Sequence, residues 1–151
     1  MNVKAPILLY FLLIFSHGSL FSDDLLEIIK KQNDILSPDK AFKLTEKIGQ
    51  IKSELDWEIA PEHYLYLDDV KLQYNKTDIA YSVQESYQSR YDDIFFGNVP
   101  ILKKRFRITF AMPKILDITQ DTITVNYRGC AEAGFCYPMK TVTYTISDKI
   151  L

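Results

Sequence analysis

Apolar and polar residues alternate with period two over much of this chain. The pattern is clearest in Ile51, Ser53, Leu55, Trp57 and Ile59, interleaved with Lys52, Glu54, Asp56 and Glu58. Side chains that change face at every step describe a strand with one buried side. The same alternation recurs in Leu102, Lys104, Phe106, Ile108 and Phe110, in Ile123, Val125 and Tyr127, and in Val142, Tyr144 and Ile146. Tyr64 to Tyr74 reads as a further strand with weaker alternation, and Ala60-Pro61-Glu62 and Met112-Pro113 supply turns. Short, aromatic-rich strands with no long helices between them predict an all-β fold, an antiparallel β-sandwich, with Trp57 in its core. Gln84 to Val99 breaks the scheme. It is long and polar yet carries Tyr87, Tyr91, Phe95 and Phe96, with Gly97 able to turn the chain. We read it as a loop that covers or binds something.

The beginning of the chain follows another pattern. Lys4 precedes an apolar run from Ile7 to Phe15, and a short Ser/Gly-containing stretch leads to Asp23-Asp24. That is the layout of a signal peptide, and the run is too short to span a hydrocarbon core of ~30 Å. Residues 1–22 are therefore expected to be a leader cleaved after Ser22. The product is exported to the periplasm with no stable membrane anchor. Asp23 to Ile35 has the spacing of a short amphipathic helix that Ser37-Pro38-Asp39 breaks, so 23–36 reads as a helical or linker segment and 37–151 as one domain. A chain of 151 residues with 47% hydrophobic content has room for one core.

The formal net charge of −2 becomes more negative when the leader leaves with its one Lys, which argues against nucleic acid as a partner. Lys103, Lys104, Arg105 and Arg107 fall within an alternating run and read as a solvated strand face.

The two cysteines stand in Arg128-Gly129-Cys130-Ala131-Glu132-Ala133-Gly134-Phe135-Cys136-Tyr137-Pro138. In an exported protein such a pair is oxidised by default. As a staple it closes a short loop, for which chain entropy gives only roughly 2 to 2.5 kcal/mol. Redox exchange and a plain structural bridge both remain open on these residues. Metal binding competes less well, because two thiols make half a tetrahedral site and His63 is the one further soft-to-borderline ligand after the leader. His63 reads as a turn residue beside Pro61-Glu62, and no Gly-x-Ser-x-Gly elbow accompanies it.

The run Gly129 to Pro138 closely resembles the active-site signature of the N-terminal periplasmic domain of the DsbD thiol:disulfide interchange family. Trp57-Glu58-Ile59 with Tyr64-Leu65-Tyr66 resembles that domain's early strand pair. Ser37 to Phe42 resembles its N-terminal approach, and Asp93 to Gly97 its cap loop. The resemblance implies an immunoglobulin-like β-sandwich with the cysteines at one end. It implies an electron shuttle, reduced by a thioredoxin-like domain or a membrane electron-transfer protein. The shuttle in turn reduces a periplasmic disulfide isomerase or a cytochrome-maturation thioredoxin. Cys136 then enters mixed disulfides and Cys130 resolves them. Phe95 is the cap residue, flanked by Phe96 and Gly97, with Tyr64 and Tyr66 lining the site. Glu132 and Phe135 belong to the cysteine loop. Asp93 occupies an acidic position, whereas Ile94 stands where a second acid is expected. Glu132 and Asp93 would raise the thiol pKa values and make the reduced pair a slow nucleophile toward casual oxidants. No metal and no cofactor beyond the redox-active disulfide is implied. The family's full-length members continue into membrane and thioredoxin-like domains, so a chain ending at Leu151 is expected to be a free-standing module. The rival reading is a periplasmic binding or chaperone-like sandwich with a purely structural disulfide.

Overall fold

The computed structural model describes residues 35–94, 96–113, 117 and 119–147. The expected leader and all but the end of the expected 23–35 helix lie outside the described residues. A single helical turn, α1 (Pro38–Ala41), starts on its proline and leads into β1 (Phe42–Lys47). The clearest alternation forms β2 (Lys52–Ile59), with Leu55, Trp57 and Ile59 buried and Lys52 and Glu58 exposed. β1 and β2 pair antiparallel from Phe42 opposite Ile59 to Lys47 opposite Glu54.

The stretch from Tyr64 to Tyr74 is two strands rather than one. β3 (His63–Tyr66) is separated from β4 (Lys71–Tyr74) by a 3-10 turn at Leu67–Asp69, and the two strands enter different sheets. All four residues of β3 are buried, so it has no polar face to alternate with. His63 is the first residue of this strand and buried rather than part of the turn. Its Nδ1 lies 2.8 Å from the Pro61 carbonyl oxygen.

After β5 (Thr77–Asp78), the segment expected as a loop is a hairpin. β6 (Ser82–Asp93) pairs along β7 (Gly97–Ala111), down to Asp93 opposite Gly97. β6 is exposed along most of its length, so burial imposes no hydrophobic alternation on it. Its strand state comes from backbone pairing with β7.

β8 (Thr122–Tyr127), β9 (Gly129–Ala131), β10 (Phe135–Cys136) and β11 (Lys140–Thr145) complete the described strands. One sheet runs β1-β2-β7-β3-β9-β10 with β6 added on β7, and the other runs β11-β8-β4-β5. All pairings are antiparallel. This is the immunoglobulin-like sandwich, and Trp57 of one sheet meets Tyr127 of the other edge to face at 5.7 Å while lying 5.6 Å from Phe106. No helix among the described residues is long and apolar enough to cross a membrane.

β7 positions the site. Its second half pairs with β2 up to Arg105 opposite Glu58, and its first half pairs with β3 at Leu102 opposite Leu65. Between them Lys104 falls in the inward phase of the alternation, yet it is exposed. The chain takes φ +63° there, and the register with β6 jumps from Phe106 opposite Ser86 to Lys103 opposite Tyr87. This bulge turns a charged side chain outward and bends the strand. The neighbouring basic residues face acids. Arg105 and Arg107 bond Asp56 and Glu85 respectively at 2.5 and 2.8 Å, and Lys103 bonds Glu132 at 2.5 Å. The Arg105 hydrogen bond holds the Asp56 carboxyl below its ordinary range.

Candidate functional site

The cysteine loop folds into its own small ladder. β9 and β10 pair with Cys130 directly opposite Cys136, and the two sulfurs are bonded. The Gly134 N–H closes the intervening turn on the Ala131 carbonyl at 3.0 Å. This ladder is attached to the sandwich through β3, with Cys130 opposite Tyr64, and through the Glu132 N–H, which donates to the Glu62 carbonyl at 2.7 Å. The approach is very close at Gly129. A Cβ there would lie 2.3 Å from the Tyr64 carbonyl oxygen and 2.6 Å from the Phe42 ring, so only glycine lets β9 sit against β3.

The two cysteines differ in exposure. Cys130 has 0% of its surface exposed, whereas Cys136 is exposed. Tyr64, Tyr66, Ile101 and Cys130 form one buried cluster, with Val99 packed against it. Within it the Tyr66 hydroxyl donates to Asp93 Oδ2 at 2.5 Å, and lies 3.2 Å from Cys130 Sγ and 3.9 Å from Cys136 Sγ. Asp93, 7% exposed, accepts the Phe96 backbone N–H on its other oxygen at 3.1 Å. Burial, then the bond to Asp93, pushes the Tyr66 hydroxyl far above the usual tyrosine range. Burial likewise pushes Tyr64 up to about 12. A hydroxyl so reluctant to ionise keeps its proton and works as a hydrogen-bond donor. Its single O–H is held by Asp93 in this oxidised form, and by turning from Oδ2 it can donate to a thiolate expelled at Cys130.

The expected site residues fall into two groups. Cys130, Cys136, Tyr64, Tyr66 and Asp93 gather at the disulfide, with Phe96 placed against Tyr66. Phe96 is 52% exposed and stands edge-on to Tyr66 at 5.7 Å, while Gly97 opens β7 at φ +69°. Phe95 lies outside the described residues. Glu132 and Phe135 stand apart from the cluster. Glu132 is exposed and ion-paired to Lys103, and Phe135 is exposed and edge-on to the ring of Tyr137 at 4.9 Å. Ile94, at the expected acidic position, is 89% exposed.

Tyr91, one of the aromatics of the segment read as covering something, meets Tyr64 ring to ring at 4.9 Å. Two further neighbours escaped the sequence reading of the site, Arg128, which lies over Tyr66 and Phe96, and Asp69, with which it is paired. Only Arg128's place one residue before Gly129-Cys130 hints at such a role. Among the described residues no three His, Cys, Asp or Glu side chains group as metal ligands.

A sequence profile of the family described as "Thiol:disulfide interchange protein DsbD, N-terminal" matches residues 32–148. The DsbD of Salmonella typhimurium is 32% identical over 117 residues, covering 78% of this chain and 20% of the relative. That of Pectobacterium atrosepticum is 36% identical over 110 residues, covering 73% and 18%. The chain thus spans about a fifth of the length of the curated relatives it matches. The reduced DsbD N-terminal domain of Neisseria meningitidis superposes with a TM-score of 0.62 at 24% identity, over 74% of this chain and 89% of that one. A complex between the DsbD and PilB N-terminal domains of the same organism gives 0.60 at 25%, over 76% and 88%.

Proposed function

The chain belongs to the family of DsbD N-terminal domains, and on that premise we propose that it is a thiol–disulfide exchange module shuttling electrons through Cys130 and Cys136. The observation that carries the reading is the unequal burial of the two cysteines, with the Tyr66 hydroxyl 3.2 Å from the sulfur of the buried one. A donor thiolate attacks the exposed Cys136 Sγ. The Cys130–Cys136 bond breaks as a donor–Cys136 bond forms, and Cys130 leaves as a thiolate that the Tyr66 hydroxyl, turning from Asp93, can bond until it takes a proton. The donor's second thiol, as its thiolate, then attacks the donor sulfur of the mixed disulfide, closing the donor's own disulfide and expelling Cys136 as a thiolate that takes up a proton. The module has gained two electrons and two protons. Running the same steps backward passes them to an acceptor.

As donor we propose a thioredoxin-like domain or a membrane electron-transfer protein. As acceptor we propose a periplasmic disulfide isomerase or a cytochrome-maturation thioredoxin, after export by the signal peptide at 1–22. The solved complex of a related DsbD N-terminal domain with the PilB N-terminal domain supports protein partners at such a module. The disulfide itself serves as the redox group, without a further cofactor. Asp93 positions Tyr66 and the Phe96 backbone beside it.

A redox titration tests the proposal. A carrier has a midpoint within reach of thioredoxin-like dithiols, and structural bridges in secreted proteins lie below about −300 mV. If the folded protein resists a reduced thioredoxin-like protein, the bridge is structural and the module's role is binding.

A further inference from the structure

Both ring nitrogens of His63 face oxygen atoms. The residue opens β3 with 6% of its surface exposed, and Tyr137, which follows Cys136, is buried beside it. Nδ1 stands 2.8 Å from the Pro61 carbonyl oxygen, and Nε2 stands 3.2 Å from the Tyr137 hydroxyl. That hydroxyl has one proton, and it donates to the Leu36 carbonyl at 2.8 Å. The Pro61 and Leu36 oxygens only accept. Nδ1 therefore carries a proton, and the state of Nε2 sets the rest. An imidazolium donates from Nε2 to Tyr137 and satisfies all three contacts at once. A neutral ring instead points a lone pair at an oxygen whose proton is engaged elsewhere, which leaves a buried acceptor without its bond. The hydroxyl then turns from Leu36 to Nε2. Burial pushes the Tyr137 hydroxyl above the usual tyrosine range, so it keeps the proton that it offers to one acceptor or the other.

The surroundings leave this choice to hydrogen bonding. β1 meets the imidazole with the Phe42 ring, edge-on at 6.0 Å, and Lys43 of that strand is paired with Glu58. Glu62 precedes His63, and Lys103 and Lys104 of β7 line the same cleft. Glu132, in the turn between β9 and β10, is paired with Lys103, and Asp39 of α1 is bonded to Lys140. The formal charges of these groups cancel.

We propose that His63 is a proton-responsive tether for the chain entering α1. Protonated, it leaves the Tyr137 hydroxyl to the Leu36 carbonyl and holds that chain against the residue after Cys136. Neutral, it takes the hydroxyl and frees Leu36. The proposal goes beyond the exchange reading and is independent of it. α1 is a single turn, too short to hold itself, so the bond at Leu36 steadies the turn that begins at Ser37. Tyr137 stays fixed in both states, by its N–H on the Gly129 carbonyl at 2.9 Å and its ring edge-on to Phe42 at 5.2 Å. Cys136 thus keeps its place while the segment beside it loosens as pH rises.

The ring-nitrogen chemical shifts of His63 in the oxidised full chain, identified by contacts with the Phe42 and Tyr137 rings, test the bonding directly. They are followed from pH 5 to 8, the interval in which histidine changes charge. The proton on Nδ1 should persist in the neutral ring, and Nε2 should be the nitrogen that loses its proton. Hydrogen exchange of the Lys40 and Ala41 amides, both bonded to the Ser37 carbonyl at 2.9 Å, reads the tether once each rate is referred to the intrinsic rate at that pH. Their protection should fall about 2- to 12-fold between pH 5 and pH 8, the loss of roughly one hydrogen bond. Tyr137→Phe has no hydroxyl to give and should show the low protection at both pH values. His63→Phe has no nitrogen to compete and should show the high protection at both. Circular dichroism identifies variants that remain folded, and the ring shifts need no variant. A neutral ring protonated on Nε2 overturns the proposal. So does wild-type protection that stays level across the interval, or a fall of the same size persisting in folded Tyr137→Phe. A redox midpoint in the structural range removes the carrier function and leaves each of these outcomes as it stands.

Discussion

Cys130 and Cys136 face each other across a single rung of antiparallel ladder, yet only Cys136 reaches solvent. The buried member carries the Tyr66 hydroxyl at 3.2 Å, so the two sulfurs are prepared for different tasks. An incoming thiolate meets Cys136, and Cys130 is the leaving group.

Cys130→Ser therefore leaves the attackable sulfur without its resolving partner. It should accumulate a mixed disulfide with a thioredoxin-like protein, visible on non-reducing gels, whereas Cys136→Ser should trap little. Both variants should remain folded, because a bridge over so short a loop contributes only roughly 2 to 2.5 kcal/mol. Trapping through Cys130 would reverse the roles.

Tyr66→Phe removes the donor beside Cys130 and keeps the ring. Reduction by dithiothreitol should slow about tenfold, the effect of losing roughly one charge-assisted hydrogen bond to the leaving sulfur. Because Asp93 loses its shortest described bond at a buried position, the variant should also be less stable by about 1 to 3 kcal/mol. Stopped-flow reduction and urea unfolding measure the two effects separately. An unchanged rate in folded protein would show that the hydroxyl is not needed at the sulfur.

Gly129→Ala places a methyl group where the Tyr64 carbonyl and the Phe42 ring already stand. The backbone oxygen cannot swing aside as a flexible side chain could. A loss of about 1 to 3 kcal/mol is expected, together with faster amide exchange in β9 and β3. A variant as stable as wild type would mean that the cysteine ladder sits less tightly on β3 than the geometry requires.

Alkaline pH should weaken the fold through its buried tyrosines. Burial raises Tyr64 and Tyr127 from the ordinary value near 10 to about 12. A group whose pKa is higher in the folded state contributes fully below the unfolded value and loses that contribution as pH climbs through the folded one. Stability should therefore be flat up to about pH 10 and then fall until about pH 12. Each such tyrosine costs up to about tenfold in the folding equilibrium per pH unit. Urea midpoints of the oxidised protein from pH 8 to 11.5 measure this slope. Tyr127→Phe should make it shallower, and an equal slope in that variant would remove Tyr127 from the account.

The parts of the fold that were legible in the sequence are those where one face is buried. Leu55, Trp57 and Ile59 wrote β2 into the chain, and Ile123, Val125 and Tyr127 wrote β8. β6 left no such trace, because an exposed edge strand owes its shape to a neighbour's backbone, and β3 left little, because it is covered on both faces. At the site, the cysteine loop is a contiguous motif and could be read directly. The setting of Arg128 could not, since Asp69, Phe96 and Arg128 come together from three distant parts of the chain. The inward-phase Lys104 is a more general lesson. A charged residue in the wrong phase of a strand marks the place where the strand itself bends.

β7 has a mechanical consequence. The bulge at Lys104 divides its 15 residues into two arms that meet at an elbow. One arm is fixed along β2 and packs Phe106 against Trp57, and the other is fixed to β3 and runs into the hairpin tip opposite Asp93. An elbow carries a tilt of one arm into the other. A modest loss of packing at Phe106 would shift the arm beside the cysteine ladder before it unfolded the sandwich. Lesions in the core of this protein should therefore surface first as faults in sulfur chemistry.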